Sequence, residues 1–103
     1  MTGVDIVDLS RIPLSEAFIH RILTEEEISQ YRMRKNDSRR REFLGGRFAC
    51  KEAIFKATGD KEYLSYSILN DESGKPYVLD HPEMEVSISH DAGIAIAVIL
   101  IKA

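Results

Sequence analysis

Three rhythms of hydrophobic and polar positions divide the chain. From Phe43 to Gly59, F-L-G-G-R-F-A-C-K-E-A-I-F-K-A-T-G, the rhythm is helical. At 100° per residue, Phe43, Cys50, Ala53, Ile54 and Ala57 share one broad face, while Leu44, Phe48 and Phe55 share a second. Two charged stripes run between these faces at i,i+4, Arg47 with Lys51 and Glu52 with Lys56. A helix apolar on nearly every side is buried in a domain or shared with a partner. Charges threaded through such a helix are costly unless they are paired or hold a ligand.

Two shorter helical patterns come before it. Pro13 and Ser15 open a helix running to Leu23, with Phe18, Ile19 and Ile22 inward, Arg11 and Arg21 flanking it and His20 at the surface. Thr24 and Glu27 then form a T-x-x-E capping box, with Leu23 and Ile28 as its hydrophobic staple. Capping and the helix dipole account for Glu25, Glu26 and Glu27 without a catalytic role. This helix fades at Arg34 to Asn36, and the long helix begins near Ser38 or Arg39 and stops at Gly59.

The remaining segments carry strand patterns. Gly3 to Leu9, G-V-D-I-V-D-L, is β-branched and interrupted by two aspartates. Asp5 and Asp8 have opposite parity, so a regular strand points them to opposite faces. An aspartate between Val4 and Ile6 either meets a cation or caps a strand end. Tyr63 to Leu69 alternates as a strand, Asn70 to Pro76 is dense in turn residues, and Tyr77 to Leu79 returns as a hairpin. Met84 to Ser89 and Ile94 to Leu100 are two further strands, joined through His90, Asp91, Ala92 and Gly93. A helical half followed by an antiparallel half, with the first strand free to join the sheet, predicts an α+β fold.

Length narrows the picture to one domain spanning residues 1–103, since 103 residues at 44% hydrophobic leave no room for a second core. The net charge of −3 argues against a nucleic-acid partner, yet Lys and Arg crowd residues 32–56 while the chain after Gly59 is mainly acidic. That asymmetry predicts a face that meets an anion or an acidic partner. The single cysteine, Cys50, lies among apolar positions and reads as packing. With no disulfide, no signal-peptide pattern and no apolar run near the roughly 18 residues a membrane span requires, the expectation is a soluble, cytoplasmic chain without a membrane partner.

Three places stand out chemically: Asp5, the Arg47/Lys51/Glu52/Lys56 helix, and His90 ending V-S-I-S-H. One carboxylate from a strand and one from a helix can share Mg²⁺, which takes one or two protein carboxylates and fills its octahedron with water and phosphate oxygens. Arginine and lysine one turn apart can clamp phosphate. The combination suits phosphoryl chemistry on a diphosphate.

G-V-D-I-V-D-L-S-R-I, I-L-T-E-E-E, F-L-G-G-R-F-A-C-K-E-A-I-F-K-A-T-G, G-K-P and V-S-I-S-H occur in that order along nearly the whole chain. They resemble the motifs of the bacterial holo-acyl-carrier-protein synthases, the short class of 4′-phosphopantetheinyl transferases. The resemblance implies that family's fold and its reaction, transfer of 4′-phosphopantetheine from coenzyme A to a serine of apo-acyl carrier protein with release of adenosine 3′,5′-bisphosphate. It implies Asp5 and Glu52 as Mg²⁺ ligands and Arg47, Lys51 and Lys56 as phosphate-binding residues. His90 would sit beside the coenzyme A phosphates, and Gly74, Lys75 and Pro76 near its nucleotide. Arg11 and Arg21 would dock the acidic carrier protein. Glu52 comes first as acceptor of the serine proton, directly or through a water, with Asp8 as a further catalytic candidate.

The resemblance also implies a homotrimer with active sites between subunits, which would let the second apolar face of the long helix meet a neighbour. The chain is shorter than usual for the family after Gly59, where Asp60 and Glu62 add negative charge, and Asp91 could orient His90. A binding module that retains coenzyme A or an acidic partner without catalysis is the alternative. An RNA-binding domain using Arg39 to Arg41 is disfavoured by the acidic total.

Overall fold

The long helix organises the fold because its two apolar faces serve two separate cores. In the computed structural model, which describes all of residues 1–103, the order is β1 (Thr2–Asp8), α1 (Glu16–Ile22), α2 (Glu25–Arg32), α3 (Asp37–Thr58), β2 (Ile68–Asn70), β3 (Pro76–Val78), β4 (Met84–Asp91) and β5 (Ile94–Ile101). Single 3₁₀ turns occupy Leu9–Arg11 and Tyr63–Ser65. The mixture of three helices and antiparallel strands is the expected α+β class.

The first half of α3 presents Phe43 and Leu44 to Ile19, Ile22 and Leu23 around α1 and to Ile28 and Tyr31 of α2. Its second half presents Ala49, Cys50, Ala53 and Ile54 to Ile68, Val78, Met84, Ala97, Ile99 and Ile101. The first face is covered within one chain, and the second in part. Leu44 is fully buried, and Phe48 packs between Phe18 and Tyr63. On the second face α1 and the turn after α3 cover part of the surface, while Phe48 and Phe55 stay partly exposed.

β1, β5 and β4 form an antiparallel sheet in that order, with Asp5 opposite Ala97 and His90 opposite Ala95. Ala95, Ala97, Ile99 and Ile101 of β5 turn inward and Ile96, Val98 and Leu100 outward, the period of two expected of a strand. α3 lies so close to this sheet that a side chain at Gly3 would collide with the Ala53 carbonyl, and one at Gly45 with Leu9. Ala92 and Gly93, both with positive φ (52° and 77°), make the two-residue turn between β4 and β5. His90 and Asp91 thus belong to the strand rather than to its turn. No helix is long and apolar enough to cross a membrane.

Two local expectations change. The strand expected over Tyr63 to Leu69 is reduced to β2, since three-residue β3 gives the earlier residues no partner. Side chains of α2 complete β2 from its other side, where the Ile68 amide donates to Glu27 Oε2 at 2.8 Å and the Asn70 amide to Gln30 Oε1 at 2.9 Å. α3 starts one turn-residue earlier than expected, because Asn36 caps it by accepting from the Arg39 amide at 2.9 Å. The Thr24–Glu27 capping box forms as expected.

Candidate functional site

β1 places Asp5 against the middle of α3. Gly3 abuts Ala53 and Val7 lies beside Gly45, so the residue between them faces the helix. The Asp5 side chain is 15% exposed, and Lys56 Nζ donates to its Oδ1 at 3.0 Å and to the Val4 carbonyl at 3.2 Å. One turn before Lys56, Glu52 Oε1 accepts from the Tyr63 hydroxyl at 2.5 Å. That hydrogen bond, followed by burial and the Glu52 charge, pushes the Tyr63 phenol up to about 12, with Arg21 opposing and Asp5 adding to the rise. The phenol is thereby tied to Glu52 of α3.

This group suits a small hard cation. Asp5 and Glu52 supply oxygen donors, and each keeps one oxygen free of side-chain hydrogen bonds. No set of three or more His, Cys, Asp or Glu side chains gathers to hold a metal. A cation here would have two protein carboxylates, the number Mg²⁺ uses while keeping water and phosphate oxygens as its other ligands. Lys56 stands beside them with its side chain 53% exposed, within reach of an anion.

A second group of sequence candidates lies toward the other end of α3. Gly74 and His90 line a cleft of about 200 Å³ together with Arg34, Arg39, Glu42 and Arg47. His90 Nδ1 is 3.4 Å from Glu42 Oε2, so Glu42 rather than Asp91 is the carboxylate beside the imidazole. Lys75 is exposed, and Pro76 opens β3 opposite Asn70. Glu42 and Glu52 are ten residues apart on one helix, about 15 Å along its axis.

Three candidates are corrected. Lys51 is 2% exposed, and its ammonium donates to Glu27 Oε1 at 2.5 Å and to the Ile22 carbonyl at 2.6 Å. Burial lowers its pKa while Glu27 opposes the shift, and an ammonium spent on internal acceptors is not a phosphate ligand. Arg47 is largely internal too, with Nε donating to the Ile68 carbonyl at 2.9 Å, Nη2 to Asn70 Oδ1 at 2.8 Å, and its guanidinium 3.9 Å from the Phe43 ring centre. Burial lowers it to about 10, and it shapes the cleft wall more than it offers a free fork. Asp8 caps the turn after β1, where its Oδ1 accepts from the Ser10 hydroxyl at 2.7 Å and the Ser10 amide at 3.0 Å. These bonds hold its carboxyl below the usual range, and strand parity keeps it off the Asp5 face.

Arg11 and Arg21 are both exposed. Arg11 borders an apolar cleft of about 300 Å³ with Ile6, Phe18 and Phe48. Asp60, at the shortened connection, is occupied locally, accepting from the Glu62 amide at 2.9 Å and the Tyr66 hydroxyl at 3.0 Å. Cys50 is inert packing, with burial pushing its thiol up to about 12. Sequence reasoning missed Tyr63, because a strand pattern gave its hydroxyl no partner. It also missed the Glu27–Lys51 pair, because a complete capping box already accounted for Glu27.

Comparison with known proteins places these features in a family. The family model of the 4′-phosphopantetheinyl transferase superfamily matches residues 1–99. A holo-[acyl-carrier-protein] synthase of Lactococcus lactis subsp. cremoris is 42% identical, the match covering 98% of this chain and 95% of that protein. One from a Geobacillus species is also 42% identical, over 97% of this chain and 93% of the relative. Among solved structures, a holo-(acyl-carrier-protein) synthase from Bacillus anthracis in complex with CoA (3′,5′-ADP) superimposes with a TM-score of 0.88 at 38% identity, covering 99% of this chain and 95% of that one. A Helicobacter pylori holo-[acyl-carrier-protein] synthase in complex with coenzyme A gives 0.81 at 29% identity, over 99% of this chain and all of that one (100%).

Proposed function

The chain belongs to the 4′-phosphopantetheinyl transferases and, among them, to the holo-[acyl-carrier-protein] synthases, and from that premise we propose how its residues carry out the transfer. The substrates are coenzyme A and the serine hydroxyl of an apo-acyl carrier protein. The serine oxygen forms a bond to the phosphorus that bears the pantetheine arm. The bond from that phosphorus to the bridging oxygen breaks, adenosine 3′,5′-bisphosphate leaves with the electron pair, and the serine proton passes to a base.

The observation that carries this proposal is the 3.0 Å pairing of Asp5 with Lys56, which brings β1 against α3 one turn from Glu52. Asp5 and Glu52 would be the residues that hold Mg²⁺. The chemistry such an ion would supply is neutralisation of charge on the pyrophosphate and on the leaving bisphosphate. Lys56 contacts the phosphates as a point charge. Glu52 receives the serine proton directly or through a water. Arg34, Arg39, Gly74 and His90 line the cleft that takes the nucleotide end of coenzyme A. Arg11 and Arg21 border the aromatic row Phe18–Phe48–Tyr63 and steer an acidic carrier toward it.

The assembly is a homotrimer with sites between subunits, acting in the cytoplasm. Two features support the shared site. Val4, Ile6, Ile96, Val98 and Leu100 are exposed together on the outer face of the sheet, an apolar surface that a monomer rarely leaves open. The metal-binding and nucleotide-binding groups also sit about 15 Å apart along α3, so a cofactor bridging them is completed by residues of a neighbour.

The test combines the protein with Mg²⁺, coenzyme A and an apo-acyl carrier protein and weighs the carrier by mass spectrometry. A gain equal to one phosphopantetheine, lost when Mg²⁺ is chelated, is expected. A carrier that stays at its starting mass with several bacterial carriers defeats the proposal.

A further inference from the structure

Glu52 is held by a residue outside every motif that identified the site. Tyr63 lies eleven residues further on, in the 3₁₀ turn Tyr63–Ser65, and its hydroxyl donates to Glu52 Oε1 at 2.5 Å. Only Asp60, Lys61 and Glu62 separate that turn from the Gly59 cap of α3. This connection is itself fixed, because the two Asp60 oxygens accept from the Glu62 amide and the Tyr66 hydroxyl. The Tyr63 ring is fixed as well, 6.1 Å from the Phe48 ring at 51°, with Phe48 in turn 5.7 Å from Phe18. The phenol is therefore aimed at Glu52 by a packed aromatic row and a braced loop.

We infer that Tyr63 is a positioning residue for the transfer reaction, anchoring one oxygen of Glu52 so that the other is presented in a single orientation to the divalent cation and the reacting serine. A glutamate on a half-exposed helix surface has three rotatable bonds and samples several rotamers unless something holds it. A hydroxyl donating to one oxygen removes that freedom without neutralising the carboxylate. Partners of this outer kind set the orientation of metal-binding side chains, and their loss typically costs tenfold or more in metal affinity or activity. The Tyr63 hydroxyl is spent on Glu52, so its loss is expected to act on turnover rather than on substrate binding. This inference rests on Glu52 serving the metal site described above.

Tyr63→Phe removes the hydroxyl and keeps the ring in its aromatic row. Compared with the parent protein, it is expected to lower kcat for carrier modification about tenfold. KM for coenzyme A and for the carrier should remain within about twofold, and the melting temperature should be unchanged. Mn²⁺ added without either substrate, and followed by the electron paramagnetic resonance of the free ion, should bind about tenfold more weakly. Parent-like kcat and Mn²⁺ affinity overturn the assignment. A fall in kcat with unchanged Mn²⁺ affinity overturns it too, since the hydroxyl would then act elsewhere, and so does a lowered melting temperature with kcat intact. A parent protein that neither binds Mn²⁺ nor modifies the carrier takes the metal-site proposal down with it, whereas a competent parent matched by Tyr63→Phe removes this inference alone.

Discussion

In the proposed site Glu52 has Oε1 taken by the Tyr63 hydroxyl, which leaves Oε2 as the oxygen a cation or a proton would use. Glu52→Gln keeps the size and the hydrogen-bond acceptor for Tyr63 but removes the charge and the basic oxygen. Transfer should fall by about 100-fold or more, within the range for loss of a general base, while circular dichroism and melting temperature remain those of the parent. Near-normal turnover would remove Glu52 from the site. Lys51, only one position away, shows how little proximity in sequence says about role. Its ammonium is enclosed by Glu27 and the Ile22 carbonyl, whereas the Glu52 carboxylate accepts from the Tyr63 hydroxyl.

Among the elements, α3 works as a strut whose buried charges tie it to its neighbours. Lys51 joins it to Glu27 of α2, and Glu27 also accepts from the amides of Thr24 and, through Oε2, of Ile68. Arg47 joins it to β2 through the Ile68 carbonyl and Asn70. A buried pair adds little beyond an apolar pair of the same volume, but removing one partner strands the other. Lys51→Ala should therefore destabilise the protein by about 3–5 kcal/mol, a large fraction of the 5–15 kcal/mol typical of a domain. Urea denaturation measures it. A loss below about 1 kcal/mol, together with weakened coenzyme A binding, would return Lys51 to the phosphate-binding set. The same logic explains why α2 and β2, short and unremarkable in sequence, are firmly placed: their free backbone groups are met by charged and amide side chains.

For the whole molecule, the proposed trimer rests on the outer sheet face. Val98 lies at its centre, opposite Val4 on β1 and Ser87 on β4, and is 42% exposed. Val98→Lys leaves the inward positions of β5 untouched, so the fold of a single chain should survive. Buried against a neighbour, the new charge would lack a partner. Light scattering should then report a monomer in place of a trimer. Transfer should fall by at least about tenfold, because a lone chain keeps its Asp5–Glu52 and His90–Gly74 groups apart. A trimer that persists in this variant would place the interface elsewhere on the surface.

Properties that depend on neighbours in sequence were legible from the residues alone. The period of 3.6 marked the three helices, the T-x-x-E box placed the start of α2, and the period of two marked β4 and β5. The ordered motifs pointed to the family and to Asp5, Glu52 and Lys56. Contacts between side chains far apart in the chain were not legible, because periodicity says which face a residue occupies and not what that face meets. Lys51 and Glu52 looked equivalent as charges on a buried helix, and only packing sent one inward to Glu27 and the other to Tyr63. Asp5 and Asp8 were separated in direction by strand parity, but it took the fold to show α3 facing the first and Ser10 the second. The second apolar face of α3 suggested a neighbouring subunit, and the fold shows α1 covering part of it and a second open apolar surface on the sheet. An apolar side chain is buried by whatever element arrives first, and the order of arrival is a property of the three-dimensional packing rather than of the local pattern.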